Sequence, residues 1–223
     1  MTTVLEYRLV KMMGATAHNG VVRWPIRTVG RASHSSDPAQ GRSAISAMAK
    51  VILHLERGYI AGLTAAHPLT GQAQCSINLI QGGRLINIIP DSCEIRLDRR
   101  LVPGEDGADT LVAVEAALAE LRLAEPDLTV VQDPPLLVDP ALDDQVNAAF
   151  APRVAAVLAS QGLSPAAVGM KFGTHASTFG AAGWPAVVLG PGSIEQAHTA
   201  DEWIDLDQLR RGADLYLALM KGM

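Results

Sequence analysis

Six histidines and a handful of glycine-bounded loops carry the residue types best able to do chemistry in this sequence. His198 stands in Gly190-Pro-Gly-Ser-Ile-Glu-Gln-Ala-His-Thr-Ala-Asp-Glu202, a loop after a predicted strand, with Glu195, Asp201 and Glu202 close in sequence. An imidazole among carboxylates that can fix its tautomer is a metal-ligand candidate; a surface histidine is the competing reading. His34, in Gly30-Arg-Ala-Ser-His-Ser-Ser-Asp-Pro38, occupies a polar turn and is either a working imidazole or a turn residue. His175 follows Gly173-Thr174 at a predicted helix start, where backbone amides favour anions, and fits equally well as a plain neighbour of the helix cap. His18, His54 and His67 have no partner that spacing reveals, and His54 falls on a predicted helix, half-buried or solvated.

Residues 82–90, Gly-Gly-Arg-Leu-Ile-Asn-Ile-Ile-Pro, link two predicted strands. Their glycines permit close backbone approach and Asn87 offers both a donor and an acceptor, although an ordinary hairpin loop reads the same way. Arg96, Asp98 and Arg100 share one strand face, as an arginine fork for a carboxylate or as a solvated outer face. The Gly190-x-Gly192 pair lacks the spacing of a dinucleotide fingerprint. Cys75 and Cys93 lie far apart without C-x-x-C spacing and read as buried thiols.

The elements that must position these residues follow from periodicity. Residues 21–29 alternate as a strand with Val22, Trp24, Ile26 and Thr28 on one face, and Pro25 implies a bulge or an unpaired amide. Residues 43–59 carry apolar side chains at 45, 48, 52 and 55, one face of a helix. Residues 74–80 and 93–101 alternate again, with Cys75, Ile77 and Leu79 in one strand and Cys93, Ile95 and Leu97 in the other as core-facing sets. A helix over 109–122, through Leu111, Val114, Leu118 and Leu121, and a strand over 128–131 complete the order βαββαβ, the ferredoxin-like pattern. After Asp133-Pro-Pro135 the chain predicts a helix near 143–160, a segment at 170–172, a short helix from Ala176, a strand over 186–189 and a helix over 206–220. This α/β remainder is too small to own a good core, so its sheet needs partners from elsewhere.

Composition bounds the function. The 223 residues are 48% hydrophobic and 18% charged, as in a folded globular protein. A formal charge of −5 with no basic cluster excludes a phosphate-binding face, so no nucleic acid is expected. No apolar run approaches the ~20 residues of a membrane span. The N-terminal residues show no secretory pattern, which predicts a cytoplasmic address.

Taken together, these motifs resemble the C-terminal half of the acetylornithine deacetylase and succinyl-diaminopimelate desuccinylase family, the co-catalytic zinc aminoacylases and carboxypeptidases. The resemblance runs from about His18 to the end and rests on the segments around His34 and Asn87, on Leu97-Asp-Arg-Arg100, on Phe172-Gly-Thr174 and on the loop from Gly190 to Glu202. It implies a ferredoxin-like lid and dimerisation domain at 19–132, set between a residual catalytic segment at 1–18 and the C-terminal part of an α/β zinc-peptidase domain at 133–223. By the same resemblance His198 is a metal ligand, and His34 is the lid histidine that reaches into the partner subunit's site to polarise the scissile carbonyl. Asn87, Arg100 and Thr174 hold substrate or oxyanion, and Gly190 to Gly192 shape the pocket. The implied chemistry is zinc-assisted hydrolysis of an N-acyl amino acid or peptide, in a homodimer formed through an edge strand and the first helix of the lid.

The sequence also departs from that pattern. It contains no H-x-D and no Glu-Glu pair, the motifs that carry the family's remaining ligands and general base. Glu6 stands near the family's Gly-Glu-Pro-Thr ligand position but is followed by Tyr-Arg, and a solvated terminal charge is the competing reading. His175 replaces a residue that is usually acidic. Catalytic zinc takes three protein ligands and an open position, so the chain alone is expected to be inactive and to need a missing N-terminal half. The alternative is a non-catalytic dimerisation or small-carboxylate-binding module derived from that family.

Overall fold

The computed structural model describes residues 4–7, 12–197 and 199–222, the first span by backbone alone. In chain order it contains β1 (Val4–Tyr7), β2 (Ala15–His18), β3 (Gly20–Val29), β4 (Ser33–His34), α1 (Ala44–Leu55), β5 (Ala66–His67), β6 (Gly71–Gln72), β7 (Gln74–Gly82), β8 (Ile88–Ile89) and β9 (Ser92–Leu101). There follow α2 (Gly107–Ala124), β10 (Thr129–Gln132), β11 (Leu137–Asp139), α3 (Ala151–Ser160), β12 (Val168–Met170), α4 (Ala176–Ala181), β13 (Ala186–Leu189) and α5 (Leu206–Gly222). Among the described residues no helix is long and apolar enough to cross a membrane.

The expected ferredoxin-like unit is present. Its sheet runs β10-β3-β9-β7, antiparallel throughout, and β11 pairs with the first part of β3. Alternation sends Val22, Trp24, Ile26, Thr28, Cys93, Ile95 and Leu97 inward, where α1 and α2 cover them with Met48, Val51, Leu55, Val114 and Leu118. Pro25 causes no bulge against β9, because its pairing with Arg96 keeps the register of its neighbours. The ring instead faces the interruption between β10 and β11, where the Pro25 carbonyl accepts from the Asp133 amide at 3.0 Å and no ladder amide is required.

Three expectations need correction. Leu79 is 54% exposed rather than core-facing: a register shift between Ile77 and Leu79 breaks the two-residue phase of β7, an edge strand. The stripe of α1 is Ala44, Met48, Val51 and Leu55, which leaves Ile45 exposed, and the helix passes at Leu55 into a π-helical turn, Glu56–Ile60. The helix expected near 143–160 is a 3-10 turn, Asp144–Asn147, followed by α3; the segment at 170–172 meets β12 only at Met170.

The alternation that buries Ile95 and Leu97 also carries Arg99 into the core, where 2% of its side chain is exposed. A buried guanidinium is tolerable only when its N–H groups are paired. The π-turn brings the Tyr59 hydroxyl to 3.1 Å from Nε, Glu105 accepts from Nη2 at 2.6 Å, and Nη1 donates to the Arg100 carbonyl.

A second sheet has the order β1-β13-β2-β12. One cluster joins Val187 and Leu189 to Phe150, Val154 and Leu158 of the α3 region and to Leu215 and Leu219 of α5. Another sets Ala15, Ala186 and Val188 against Leu142, Met170 and Ala176. Strand β2, Ala-Thr-Ala-His, is buried at every position. A strand covered on both faces has no alternation for periodicity to detect.

The chain crosses from this sheet to the lid through Asn19 and returns at 139–142. The crossings are bonded to each other: His18 N donates to the Leu142 carbonyl at 3.2 Å, and Leu142 N to the His18 carbonyl at 3.0 Å. A Cβ at Gly20 would lie 2.6 Å from both Asp139 O and Ala141 N, so only glycine permits this approach.

Two outcomes follow from the lid core. Leu118→Ala is expected to lower unfolding free energy by about 2–5 kcal/mol, and Leu123→Ala on the exposed side of α2 by less than about 0.5 kcal/mol, in chemical denaturation. Burial pushes the Cys75 thiol up to about 11 against the opposing pull of Arg99, and burial also raises Cys93. The native state therefore resists thiol ionisation, and this contribution to stability, complete below the ordinary value near 9, is lost as pH rises towards 11. Disulfide-exchange labelling at pH 8 should be slow in the native protein and rapid in denaturant.

Candidate functional site

At the tip of the lid, β4 and β8 form a two-residue antiparallel ladder, Ser33 opposite Ile89 and His34 opposite Ile88. The next bond, Ser35 N to the Asn87 carbonyl at 3.0 Å, sets Asn87 opposite Ser35, one position from His34, so that His34 and Asn87 both belong to this exposed tip. Sequence motifs 53 residues apart are thus one local structure. Ser36 fixes the ring: its backbone N–H donates to His34 Nδ1 at 3.2 Å, and its hydroxyl lies 2.7 Å from the same atom. An atom that accepts an N–H bond carries no proton, so the neutral ring bears its proton on Nε2 as an outward donor. A hydrogen-bond donor of this kind suits a carbonyl oxygen that gains negative charge.

Arg100 lies on the open face of the lid sheet, 31% exposed, with Nε and Nη2 on Asp98 at 2.5 and 3.2 Å. Asp98, 12% exposed, also accepts from Arg23 at 2.7 Å. Of the two readings of this face, the fork is present, but its carboxylate comes from within the chain. Further along β3, Arg27 and Asp133 form a two-bond pair at 2.5 Å, which holds the Asp133 carboxyl below its ordinary range.

Thr174 sits at the crossing between the sheets. It is 8% exposed, and its backbone N–H and hydroxyl lie 3.3 and 3.1 Å from His18 Nε2. His18 Nδ1 lies 3.0 Å from the Asn19 carbonyl, which only accepts, so the neutral His18 ring is the Nδ1–H tautomer, opposite to His34. Spacing gave His18 no partner, and the structure makes it the side chain that anchors Thr174. Its only sequence signal was a histidine directly before the Asn-Gly that opens β3. His54 and His67 likewise gain partners, the Ala117 carbonyl at 2.8 Å and Asp144 at 3.2 Å. His175 is the residue preceding α4.

Gly190 and Gly192 follow β13, both buried, with Gly190 O accepting from Met12 N at 3.0 Å and Gly192 N donating to Gln208 at 2.9 Å. Gly192 has φ +90°, a conformation that excludes most side chains. His198 lies outside the described residues. Glu6 is placed by backbone only, opposite Val188 in the β1–β13 ladder. Among the described residues no three His, Cys, Asp or Glu side chains gather so as to hold a metal ion. The described donors therefore do not fit a zinc centre, and no chemical step is derived through one. The described hydrogen bonds join Ser35 to Asn87 and Thr174 to His18, but do not join these two groups to each other.

Residues 16–125 match the peptidase dimerisation domain. The chain is 34% identical over 216 residues to the N-acetyl-L-citrulline deacetylase of Xanthomonas campestris pv. campestris, across 92% of this chain and 55% of that one. It is 31% identical over 199 residues to the acetylornithine deacetylase of Edwardsiella ictaluri, across 86% and 49%. Among solved structures, a tripeptidase from Staphylococcus aureus superposes with a TM-score of 0.73 at 19% identity, over 96% of this chain and 54% of that one. An aminopeptidase from Bacillus cereus gives 0.71 at 20%, over 97% and 55%. At such identities the structural likeness is one of fold. The chain spans about half the length of the curated relatives it matches.

Nuclear magnetic resonance of the histidine side chains checks the site. At a pH where the rings are neutral, His34 is expected to show the Nε2–H tautomer and His18 the Nδ1–H tautomer, and Ser36→Ala is expected to keep the His34 tautomer because the backbone N–H at position 36 still donates to Nδ1.

Proposed function

Because this chain belongs to the acetylornithine deacetylase family through its peptidase dimerisation domain, we propose that it is the lid-bearing half of an amide hydrolase acting on small N-acyl amino acids or peptides. The observation that carries this reading is exposed His34 on the β4–β8 ladder, its Nδ1 held by the Ser36 N–H so that Nε2 carries the proton, with Asn87 one position away. In a homodimer this donor meets the amide carbonyl held by the partner subunit and stabilises the oxygen as charge develops on it. Arg100, aligned by Asp98, receives a substrate carboxylate through Nη1, and Thr174, aligned by His18, contributes a hydroxyl beside the reacting carbonyl. By the family resemblance, the remaining zinc ligands and the general base would come from the half of the relatives this chain does not span, and His198 and Glu6 would be this chain's own ligands.

Dimerisation is supported by the apolar surface at the lid edge. Leu79 and Ile80 on edge strand β7 are 54% and 56% exposed, and α1, which packs over β7, exposes Ile45 and Leu53. An unpaired edge with this surface is a template for a second copy. Light scattering is expected to give a dimer at tens of micromolar protein, and Ile80→Lys a monomer.

The decisive test is a hybrid in which this chain replaces the matching segment of the Xanthomonas campestris deacetylase. Hydrolysis of N-acetyl amino acids by the hybrid, reduced about 10²–10³-fold by His34→Ala, is the expected result. A folded, dimeric hybrid without turnover would favour the competing reading, a module that binds small carboxylates at Asn87 and Arg100 without reaction. Elemental mass spectrometry of the unmodified chain after zinc loading and desalting should show less than stoichiometric metal.

A further inference from the structure

The short hairpin β5–β6 belongs in sequence to the lid, between the π-turn and β7, yet its tip lies on the other sheet. His67 Nε2 is 3.2 Å from Asp144 Oδ1, with 14% of the His67 side chain exposed. The backbone of Leu69 rests on Gly169 of β12 so closely that a Cβ there would meet Leu69 O at 2.2 Å and Leu69 C at 2.4 Å. Thr70, in the same tip, is 2% exposed, and its hydroxyl has no described partner. The contact is aimed from within the hairpin: Leu69 N–H donates to His67 Nδ1 at 3.3 Å, so the ring proton sits on Nε2 and points at the Asp144 carboxylate.

Within the lid the hairpin has little to hold it. Its ladder is two residue pairs, Ala66 with Gln72 and His67 with Gly71, supported by Ala73 N on the Ala65 carbonyl and the Gln72 side chain on the Leu63 carbonyl. An isolated two-stranded hairpin is marginal in water. Its order therefore depends on docking to β12 and the 144–147 turn. Among the described hydrogen bonds the two sheets are also joined at the crossings, by the paired bonds of His18 and Leu142 and by Asn19 N on the Met170 carbonyl, which lie close together and can act as a pivot.

We propose that hairpin 66–72 is a detachable latch that fixes the angle between the lid and the four-stranded sheet, released by breaking the His67–Asp144 bond and lifting Leu69 from Gly169. The inference rests on the fold and not on the hydrolase reading, so either can fail alone. Hydrogen-exchange mass spectrometry of the full chain tests it. Gly169→Ala and His67→Ala are each expected to speed exchange in residues 66–73 by about tenfold while β9 keeps its protection, as in local opening. Small-angle X-ray scattering should show a larger radius of gyration for Gly169→Ala. Unchanged exchange in the hairpin of both variants would overturn the proposal. So would parallel loss of protection across β9 in His67→Ala, because the hairpin would then be part of one cooperative core rather than a separable latch.

Discussion

The structure turns on the mutual pairing of two chain crossings. Residues 18–20 leave the four-stranded sheet, residues 139–142 return to it, and reciprocal bonds between His18 and Leu142 hold the crossings side by side. Gly20 permits this because Asp139 and Ala141 occupy the space a side chain would need. Strands β2 and β3 are then nearly continuous, so the lid cannot move without loading this point. The same His18 turns its imidazole to Thr174, which ties a candidate oxyanion residue to the crossing itself.

Polar groups at the two candidate positions are set by short-range neighbours in opposite senses. Ser36 makes His34 an outward donor from Nε2, whereas the Asn19 carbonyl and Thr174 amide make His18 an acceptor there. One ring is exposed with its donor unclaimed by the lid's own hydrogen bonds as described; the other is buried and bonded at both nitrogens. Asp98 plays a similar part on the sheet face, where it holds Arg23 and Arg100 in fixed positions and offsets their charge. These arrangements hold the polar groups in fixed positions, the condition that the proposed role in transition-state stabilisation requires.

The lid owns a full core, and the remainder does not stand in the same way. Trp24, Ile26, Met48, Ile95 and Leu118 close one cluster between sheet and helices. The other sheet divides its apolar residues between two smaller clusters on its two faces. Its strands are four residues or fewer, so side-chain burial per strand is limited, as the small size of that segment led us to expect.

The sequence by itself determined the lid, because alternation in β3 and β9 and the helical stripes of α1 and α2 are local patterns tied to one-sided burial. It also singled out His34, Asn87, Arg100, Thr174 and the Gly190–Gly192 loop as candidates, through motifs that are contiguous in the chain. Tertiary structure alone decided the rest. Strand β2 escaped because burial on both faces leaves no period, and Leu79 was misplaced because a one-residue shift in β7 is invisible to alternation. The partners of His18, His67 and Arg99 come from 156, 77 and 6 residues away, and the first two distances exceed anything spacing can relate. Hydrogen bonds between distant segments depend on how sheets are brought together, and that is fixed by packing, not by local sequence.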